Sequence, residues 1–264
     1  IFNLRGLDDS LKDKLNLELL QVSLESLHTR LLEGSRQLLL VSDPSTESIS
    51  RGALKLSWQE RQGFADKFVA GVDGFESDVA FVTNTKINFC ASVYPTIEPT
   101  NEDSPVLTVL AAVLRNGYLH SEIREKGGAY GGGAIHDWAN GVFKFYSFRD
   151  PNLLDTFAAF EKSLEWVTGA ELSSEIVEEA VLGVISGLDA PGTPAGEAKQ
   201  SFHHKLFGNT LESRQEFRER VIATRVQDIR RVATSYFQSG ARRAVITNAQ
   251  FRHQVESKFD VVEL

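Results

Sequence analysis

Residues Tyr118 to Asn152 read Y-L-H-S-E-I-R-E-K-G-G-A-Y-G-G-G-A-I-H-D-W-A-N-G-V-F-K-F-Y-S-F-R-D-P-N. The first part has the pattern of a helix end, and it breaks at Gly127-Gly128 before two strand-like runs that a polar turn separates. Five of the chain's 20 glycines lie between residues 127 and 133. Because ordered glycine costs backbone entropy, such a cluster indicates a sharp turn or a close backbone approach.

The glycine cluster allows three interpretations. The first is a helix C-cap followed by a glycine-rich strand with no further role. The second is a phosphate-binding loop, which the sequence disfavours because no G-K-[ST] follows and because phosphate loops run from strand to helix. The third is a peptide-binding edge, where glycines let an extended substrate approach while Arg124 and Tyr130 donate hydrogen bonds to it.

Two runs in this stretch carry a family resemblance. The run R-E-K-G-G-A-Y-G-G-G-A, from Arg124, and the run G-V-F-K-F-Y-S-F-R-D-P-N, from Gly141, resemble the C-terminal half of the presequence protease group. That group consists of zinc peptidases of the pitrilysin/insulinase (inverzincin) family. The likeness is strongest from Leu119 to Trp166 and extends through L-D-A-P at 188–191. It implies the LuxS/processing-peptidase-like metallohydrolase domain, a mixed, largely antiparallel sheet covered on one face by long helices.

The composition is that of an ordinary globular protein, with 264 residues, 42% hydrophobic and 24% charged. A net charge of −8 argues against nucleic-acid binding, and no apolar run reaches membrane-spanning length, so we expect neither partner. Cys90 is the single cysteine, which excludes an internal disulfide and predicts a reducing intracellular compartment, a bacterial cytoplasm or an organelle matrix. Its apolar surroundings predict a small buried hydrophobe.

Periodicity along the chain predicts three regions. Residues 1–45 contain a helix over 8–34 and a short strand over 38–41, and we expect them to complete a domain that begins upstream. Residues 46–78 lack strong periodicity and are predicted to be a linker. Residues 79–264 are predicted to form the C-terminal α+β peptidase-family domain.

Within the last region the pattern alternates between strands and longer helices. Strands are predicted at 79–83, 86–94, 130–136, 142–149 and 242–247, with Asn84-Thr85 as the turn between the first two. Helices are predicted from Asp103 or Ser104 to about Arg124, after Asp150-Pro151 as far as Val167, and at 174–189, 197–207, 211–221 and 225–238. The run at 142–149 is apolar on both faces, which predicts a central strand.

The sequence lacks the H-x-x-E-H motif that a zinc peptidase of this family carries on a helix. Its six histidines are His28, His120, His136, His203, His204 and His253. Adjacent His203 and His204 diverge by about 100° on a helix, and His136-Asp137 is expected to be a solvated pair in the hairpin turn. No G-x-S-x-G is present either, so we expect no metal in this chain and no activity from it alone.

The resemblance implies a division of labour between two halves. In the family, an N-terminal half holds zinc, and a C-terminal half extends an Arg and a Tyr to the substrate within a closed chamber that degrades short unfolded peptides. Arg124 and Tyr130 occupy those motif positions. A phenol and a guanidinium can both stabilise negative charge on a carbonyl oxygen. Glycines at the corner and strand, Gly127, Gly128, Gly131, Gly132 and Gly133, are expected to leave room for the substrate backbone.

The expected partners are therefore the zinc-holding N-terminal half, in the same polypeptide or in a partner subunit, and unfolded peptide substrates. The alternative is a catalytically inactive family member that acts as a structural or binding subunit. The presence of Arg124 and Tyr130 favours the peptidase, because a purely structural relative has no use for them.

Overall fold

The computed structural model describes residues 2–34, 36–58, 77–97 and 100–264. The described residues up to 58, together with 192–208, form one compact unit, and those of 77–191 and 209–264 form the other. The helices are α1 (Phe2–Ser10), α2 (Lys14–Glu33), α3 (Glu47–Ser57), α4 (Ser104–Leu114), a π-helix (Arg115–Lys126), α5 (Leu154–Thr168), α6 (Ser174–Leu188), α7 (Pro194–Leu206), α8 (Leu211–Ala223), α9 (Val226–Tyr236), a 3₁₀ turn (Ala249–Phe251) and α10 (Arg252–Val255). None of the described helices is long and apolar enough to cross a membrane.

The first unit contains α1, α2, α3 and α7. The single helix predicted over 8–34 is two helices, because Asp13 starts α2 by accepting a hydrogen bond from the Leu15 backbone N–H at 2.7 Å. The strand predicted at 38–41 is wrong. Residues 36–43 have no regular structure and pair with none of the described strands, and an apolar run without a partner strand cannot form a ladder.

Part of the segment predicted as a linker is helical. Helix α3 covers residues 47–57, whereas 59–76 lie outside the described residues. The assignment of residues 1–45 to a preceding domain, with boundaries at 46 and 79, stays a prediction.

The second unit is built on one mixed six-stranded sheet, as predicted. Its strands are β1 (Val79–Val82), β2 (Asn88–Pro95), β3 (Gly131–Asp137), β4 (Val142–Asp150), β5 (Arg242–Thr247) and β6 (Asp260–Glu263), in the order β3-β4-β2-β5-β1-β6. The pairs β3–β4, β4–β2 and β2–β5 are antiparallel, while β5–β1 and β1–β6 are parallel. Strand β4 is flanked on both sides, which confirms its predicted central position.

Two features of the sheet differ from the prediction. Strand β5 lies between β1 and β2, so the two strands on either side of Asn84-Thr85 are not hydrogen-bonded neighbours. Strand β6 lies beyond the last predicted strand at 242–247, and its four residues D-V-V-E are too few for a periodic signal. Both differences arise from pairing between residues far apart in the sequence.

The helices of this unit cover one face of the sheet and bury the apolar side of each strand. Along β4, buried Phe143 and Phe145 alternate with half-exposed Lys144 and Tyr146. Helix α4 is buried on nearly all sides, since ten of its eleven residues are buried. Cys90 is 2% exposed within this core, as predicted, and burial raises the pKa of its thiol to about 12.

An ion pair joins the start of α4 to α9. The Asp103 carboxylate accepts two hydrogen bonds from the Arg231 guanidinium, at 2.8 and 2.6 Å, and a third from the Tyr236 hydroxyl at 2.8 Å. The hydrogen bonds from Arg231, supported by that from Tyr236, lower the pKa of Asp103. Because the ionised form is favoured in the folded state, this stabilisation is present at neutral pH and is lost as the pH falls through the lowered pKa.

We expect Asp103→Asn to lower the free energy of unfolding by about 1–2 kcal/mol at pH 7, because two donors lose a charged acceptor. The Arg231 side chain is 51% exposed, which keeps the loss at the lower end of values for charged hydrogen bonds. Urea denaturation at pH 7 and pH 3 measures the effect, and the difference from wild type should narrow at pH 3. The control is Asp189→Asn, which breaks the ion pair with Arg218. It should change stability less, because the Asp189 side chain is 47% exposed whereas that of Asp103 is 12% exposed. An equal effect of Asp103→Asn at both pH values would contradict the assignment.

Candidate functional site

Helix α4 continues without a break into the π-helix, which ends at the glycine corner. The Gly127 N–H donates to the Glu122 carbonyl, five residues earlier, at 3.0 Å. The same winding aligns His120 with Glu125, whose Nδ1 and Oε1 atoms are 3.5 Å apart. The sequence predicted a helix here but gave no sign of its wider winding. π-Helical segments are uncommon and occur often at functional sites, so the end of this π-helix is a candidate site.

The corner itself requires both of its glycines. Gly128 has a φ of +77°, in the left-handed region where side chains are disfavoured. A Cβ atom on Gly127 would lie 2.6 Å from the Ile123 carbonyl oxygen. The Gly128 N–H donates to the Arg124 carbonyl and the Ala129 N–H to the Ile123 carbonyl, both at 3.1 Å. These bonds satisfy the carbonyls at the helix end and turn the chain into β3.

A hydrogen-bonded chain of side chains holds this corner to the sheet. The Asn152 amide donates from Nδ2 to the Gly127 carbonyl at 2.6 Å. The backbone carbonyl of Asn152 accepts a hydrogen bond from Asn88 Nδ2 at 3.0 Å, and Asn88 Oδ1 accepts one from Thr247 Oγ1 at 2.6 Å. Asn88 and Thr247 are fully buried, on β2 and β5. Because buried polar groups without partners are costly, each link in this chain depends on the others.

Asp150 fixes the other end of the same segment. Its carboxylate is fully buried and accepts hydrogen bonds from the Asn152 N–H at 2.9 Å and from Thr156 Oγ1, on α5, at 2.7 Å. Asp150 thus joins the end of β4 to α5. The helix start predicted at Asp150-Pro151 is wrong in position, because α5 begins at Leu154 with Leu153 as its N-cap. The roles of Asn88, Asn152 and Thr247 were not predicted, because single polar residues in strand-like runs carry no local signal.

The two side chains at the ends of the corner are accessible. Tyr130 directly precedes β3 and is 63% exposed, and its backbone N–H donates to the Arg149 carbonyl at 3.2 Å. Its ring lies 5.5 Å from that of Phe148, in an edge-on contact. Arg124 is exposed in the last turn of the π-helix, and its guanidinium makes no hydrogen bond or ion pair with the described residues. Both groups can therefore reach a molecule outside the described part of the chain.

The three glycines of β3 allow close packing. A Cβ atom on Gly131 would lie 2.6 Å from Phe148 Cε1, and one on Gly132 would lie 2.9 Å from the Tyr146 carbonyl oxygen. On Gly133 it would lie 2.8 Å from Arg115 Cγ. The chain's own atoms thus account for the absence of side chains at these positions. The expectation that these glycines leave room for a substrate stays a proposal.

The histidines do not form a metal site in the described part of the chain, where no three His, Cys, Asp or Glu side chains are grouped. The expected solvated pair at residues 136–137 is wrong for His136, which lies in β3 and is 6% exposed. Its Nδ1 lies 3.0 Å from Thr108 Oγ1, and burial lowers the pKa of the ring to about 4. His136 is therefore a neutral core residue, because its ring lies on the face of β3 that packs against Thr108 of α4.

Comparison with known proteins identifies the family that this part of the chain resembles. The sequence model of the family described as "PreP C-terminal domain" matches residues 78–248. The mitochondrial presequence protease of Xenopus laevis is 36% identical over 160 residues, which are 61% of this chain and 15% of that protein's length. The chain therefore matches only a small part of the curated relatives.

Solved structures share the fold at low identity. A protease from Helicobacter pylori superimposes with a TM-score of 0.61 at 16% identity, over 78% of this chain and 53% of that one. A structure from Pseudomonas fluorescens described as a peptidase M16 inactive domain gives a TM-score of 0.55 at 13% identity, over 79% of this chain and 52% of that one.

We expect Asn152→Ala to destabilise the second unit by about 1–3 kcal/mol, because the Gly127 carbonyl loses its only side-chain donor at the corner. Urea denaturation of the purified chain measures this loss. The matched control is Asn140→Ala, which removes an exposed amide bound to Asp137 in the β3–β4 turn and should cost less than half as much. Equal losses in the two variants would show that the corner does not depend on this hydrogen bond.

Proposed function

The chain belongs to the family of the PreP C-terminal domain, and on this basis we propose that it is the substrate-binding half of a zinc metalloendopeptidase. The observation that carries the proposal is that two exposed side chains, Arg124 and Tyr130, lie on a backbone corner that hydrogen bonds hold in place. The Asn152 side chain binds the Gly127 carbonyl, and the hydrogen bond between Thr247 and Asn88 belongs to the same network. Exposed side chains on a rigid backbone contribute little to the stability of the fold. They are well placed to contact a bound substrate.

In this proposal the two side chains act on the carbonyl group of a bound peptide. Peptide hydrolysis places negative charge on the carbonyl oxygen, and a phenol such as that of Tyr130 can donate one directed hydrogen bond to it. The Arg124 guanidinium can bind a carbonyl or carboxylate of the substrate with two donors. In other enzymes the removal of one such donor costs about 3–4 kcal/mol of transition-state stabilisation.

The substrate is proposed to be a short unfolded peptide enclosed between two halves. Strand β3 has a described neighbour on one side only, β4, and an extended peptide can add to such an edge through backbone hydrogen bonds. The corner glycines, Gly127 and Gly128, and the first strand glycines, Gly131 and Gly132, would keep the backbone there free of side chains.

Zinc is proposed to reside in the N-terminal half, whether that half belongs to the same polypeptide or to a partner subunit. The described residues of this chain do not suit the ion, since no three potential ligands come together among them. This chain alone is therefore proposed to be inactive. The relatives named mitochondrial, together with the buried free thiol of Cys90, support a reducing compartment such as an organelle matrix.

The alternative is a family member that has kept the fold as a structural or binding subunit. The Pseudomonas fluorescens structure described as an inactive domain shows that the fold occurs in a peptidase-family domain without activity of its own. Substitution of Arg124 and Tyr130 separates the two possibilities, because a structural subunit would not require either side chain for turnover.

In the full-length peptidase we expect Tyr130→Phe and Arg124→Ala each to lower kcat/KM for an unfolded peptide by about 100-fold, because each removes one donor to the developing charge. Zinc content, measured by atomic emission, should be unchanged, since neither residue is a proposed ligand.

The matched controls are Tyr118→Phe, which keeps the ring beside Trp166, and Arg214→Ala, on the exposed face of α8. Both controls should keep kcat/KM within about threefold of wild type. Near wild-type kcat/KM in both Tyr130→Phe and Arg124→Ala would exclude the peptidase roles and leave the structural subunit.

A further inference from the structure

We propose that Arg149 is a positioning residue for Tyr130, and that its guanidinium restrains the phenol in the orientation from which it donates to the substrate. The inference rests on the proposed function, because it assigns a purpose to the orientation of the Tyr130 side chain. Arg149 itself needs no contact with the peptide.

The backbone of Arg149 is in an unfavourable conformation. Its φ is +51°, and it is the one non-glycine residue in the described part of the chain with a positive φ. The left-handed region crowds the Cβ atom of every L-residue and favours glycine, with asparagine next. A long charged side chain at such a position indicates that the side chain has a use that offsets the strain.

A β-bulge creates this conformation. Asn88 on β2 pairs with Asp150, and the next residue, Phe89, pairs with Phe148, so Arg149 is the extra residue of β4. Its carbonyl accepts the Tyr130 N–H at 3.2 Å, which extends the pairing of β4 beyond the first residue of β3. The bulge therefore places Arg149 directly beside the residue that leads into β3.

The side chain completes the contact. The Arg149 Cζ atom lies 5.3 Å from the centroid of the Tyr130 ring, within the range of a cation–π interaction. The Phe148 ring contacts the same phenol at 5.5 Å. The guanidinium is exposed and makes no ion pair within the described ranges, so no other charged partner competes there with the Tyr130 ring. A tyrosine that is 63% exposed would otherwise sample several rotamers, and the two contacts restrict it.

A purely structural role for Arg149 makes the opposite prediction for its replacement by glycine. If the residue only completed the bulge, glycine would fit the left-handed backbone better, and both stability and turnover would be kept. If the guanidinium positions the phenol, relief of the backbone strain should stabilise the fold while turnover falls.

The experiment measures kcat, KM and the melting temperature of Arg149→Gly and Arg149→Lys in the full-length peptidase. We expect Arg149→Gly to lower kcat about tenfold with KM within twofold of wild type, and to melt at the same or a higher temperature. Arg149→Lys should recover part of kcat, because it restores the charge but not the planar stacking. The control Arg242→Gly removes an exposed arginine from β5 at an ordinary φ, and it should keep kcat and lower the melting temperature.

A wild-type kcat in Arg149→Gly, a loss expressed in KM alone, or a joint fall of kcat and melting temperature would each overturn the inference. The double variant tests the coupling to Tyr130. In the Tyr130→Phe background, Arg149→Gly should change kcat less than twofold, and a further tenfold loss would show independent action. Wild-type kcat in Tyr130→Phe itself overturns the proposed role of Tyr130 and this inference with it, and the same result in Arg124→Ala as well overturns the proposed function. A loss in Tyr130→Phe without one in Arg149→Gly overturns the positioning role alone.

Discussion

The hydrogen bond from the Asn152 amide to the Gly127 carbonyl holds the end of the π-helix against the end of β4, and the geometry of the site depends on it. Asn152 is itself held by Asn88 and by the carboxylate of Asp150, both fully buried. Through Thr247 the same network of hydrogen bonds reaches β5. Residues from four distant parts of the sequence thus fix one tight corner, and the conformational entropy of that corner is lost on folding rather than on binding.

The corner provides a rigid backbone, and the exposed side chains on it provide the groups that are proposed to bind the substrate. The backbone is left-handed at Gly128, which glycine permits, and at Arg149, where an L-residue is strained. Arg124 and Tyr130 are exposed at this corner, so under the proposed function a substrate would meet them with little further loss of backbone entropy. Close packing around the three β3 glycines serves the same end, because it leaves that strand no freedom relative to β4 and the π-helix.

The sequence predicted the features that depend on local signals. The glycine pair marked the corner, Asp103 or Ser104 marked the start of α4, and apolar residues on both faces identified β4 as a central strand. Features that depend on distant partners were missed, namely the place of β5 between β1 and β2, the short strand β6 and the polar network. The strand predicted at 38–41 failed for the same reason, since an apolar run needs a neighbour to become a strand. The π-winding also escaped prediction.

The most direct measurement is the structure of the full-length peptidase, with its zinc half inactivated, bound to an unfolded peptide. The account predicts that Tyr130 Oη lies about 2.7–3.1 Å from the carbonyl oxygen of the peptide bond to be cleaved, with the Arg149 guanidinium still against the phenol ring. A bound peptide whose reacting carbonyl lies beyond hydrogen-bonding reach of both Tyr130 and Arg124 would contradict it.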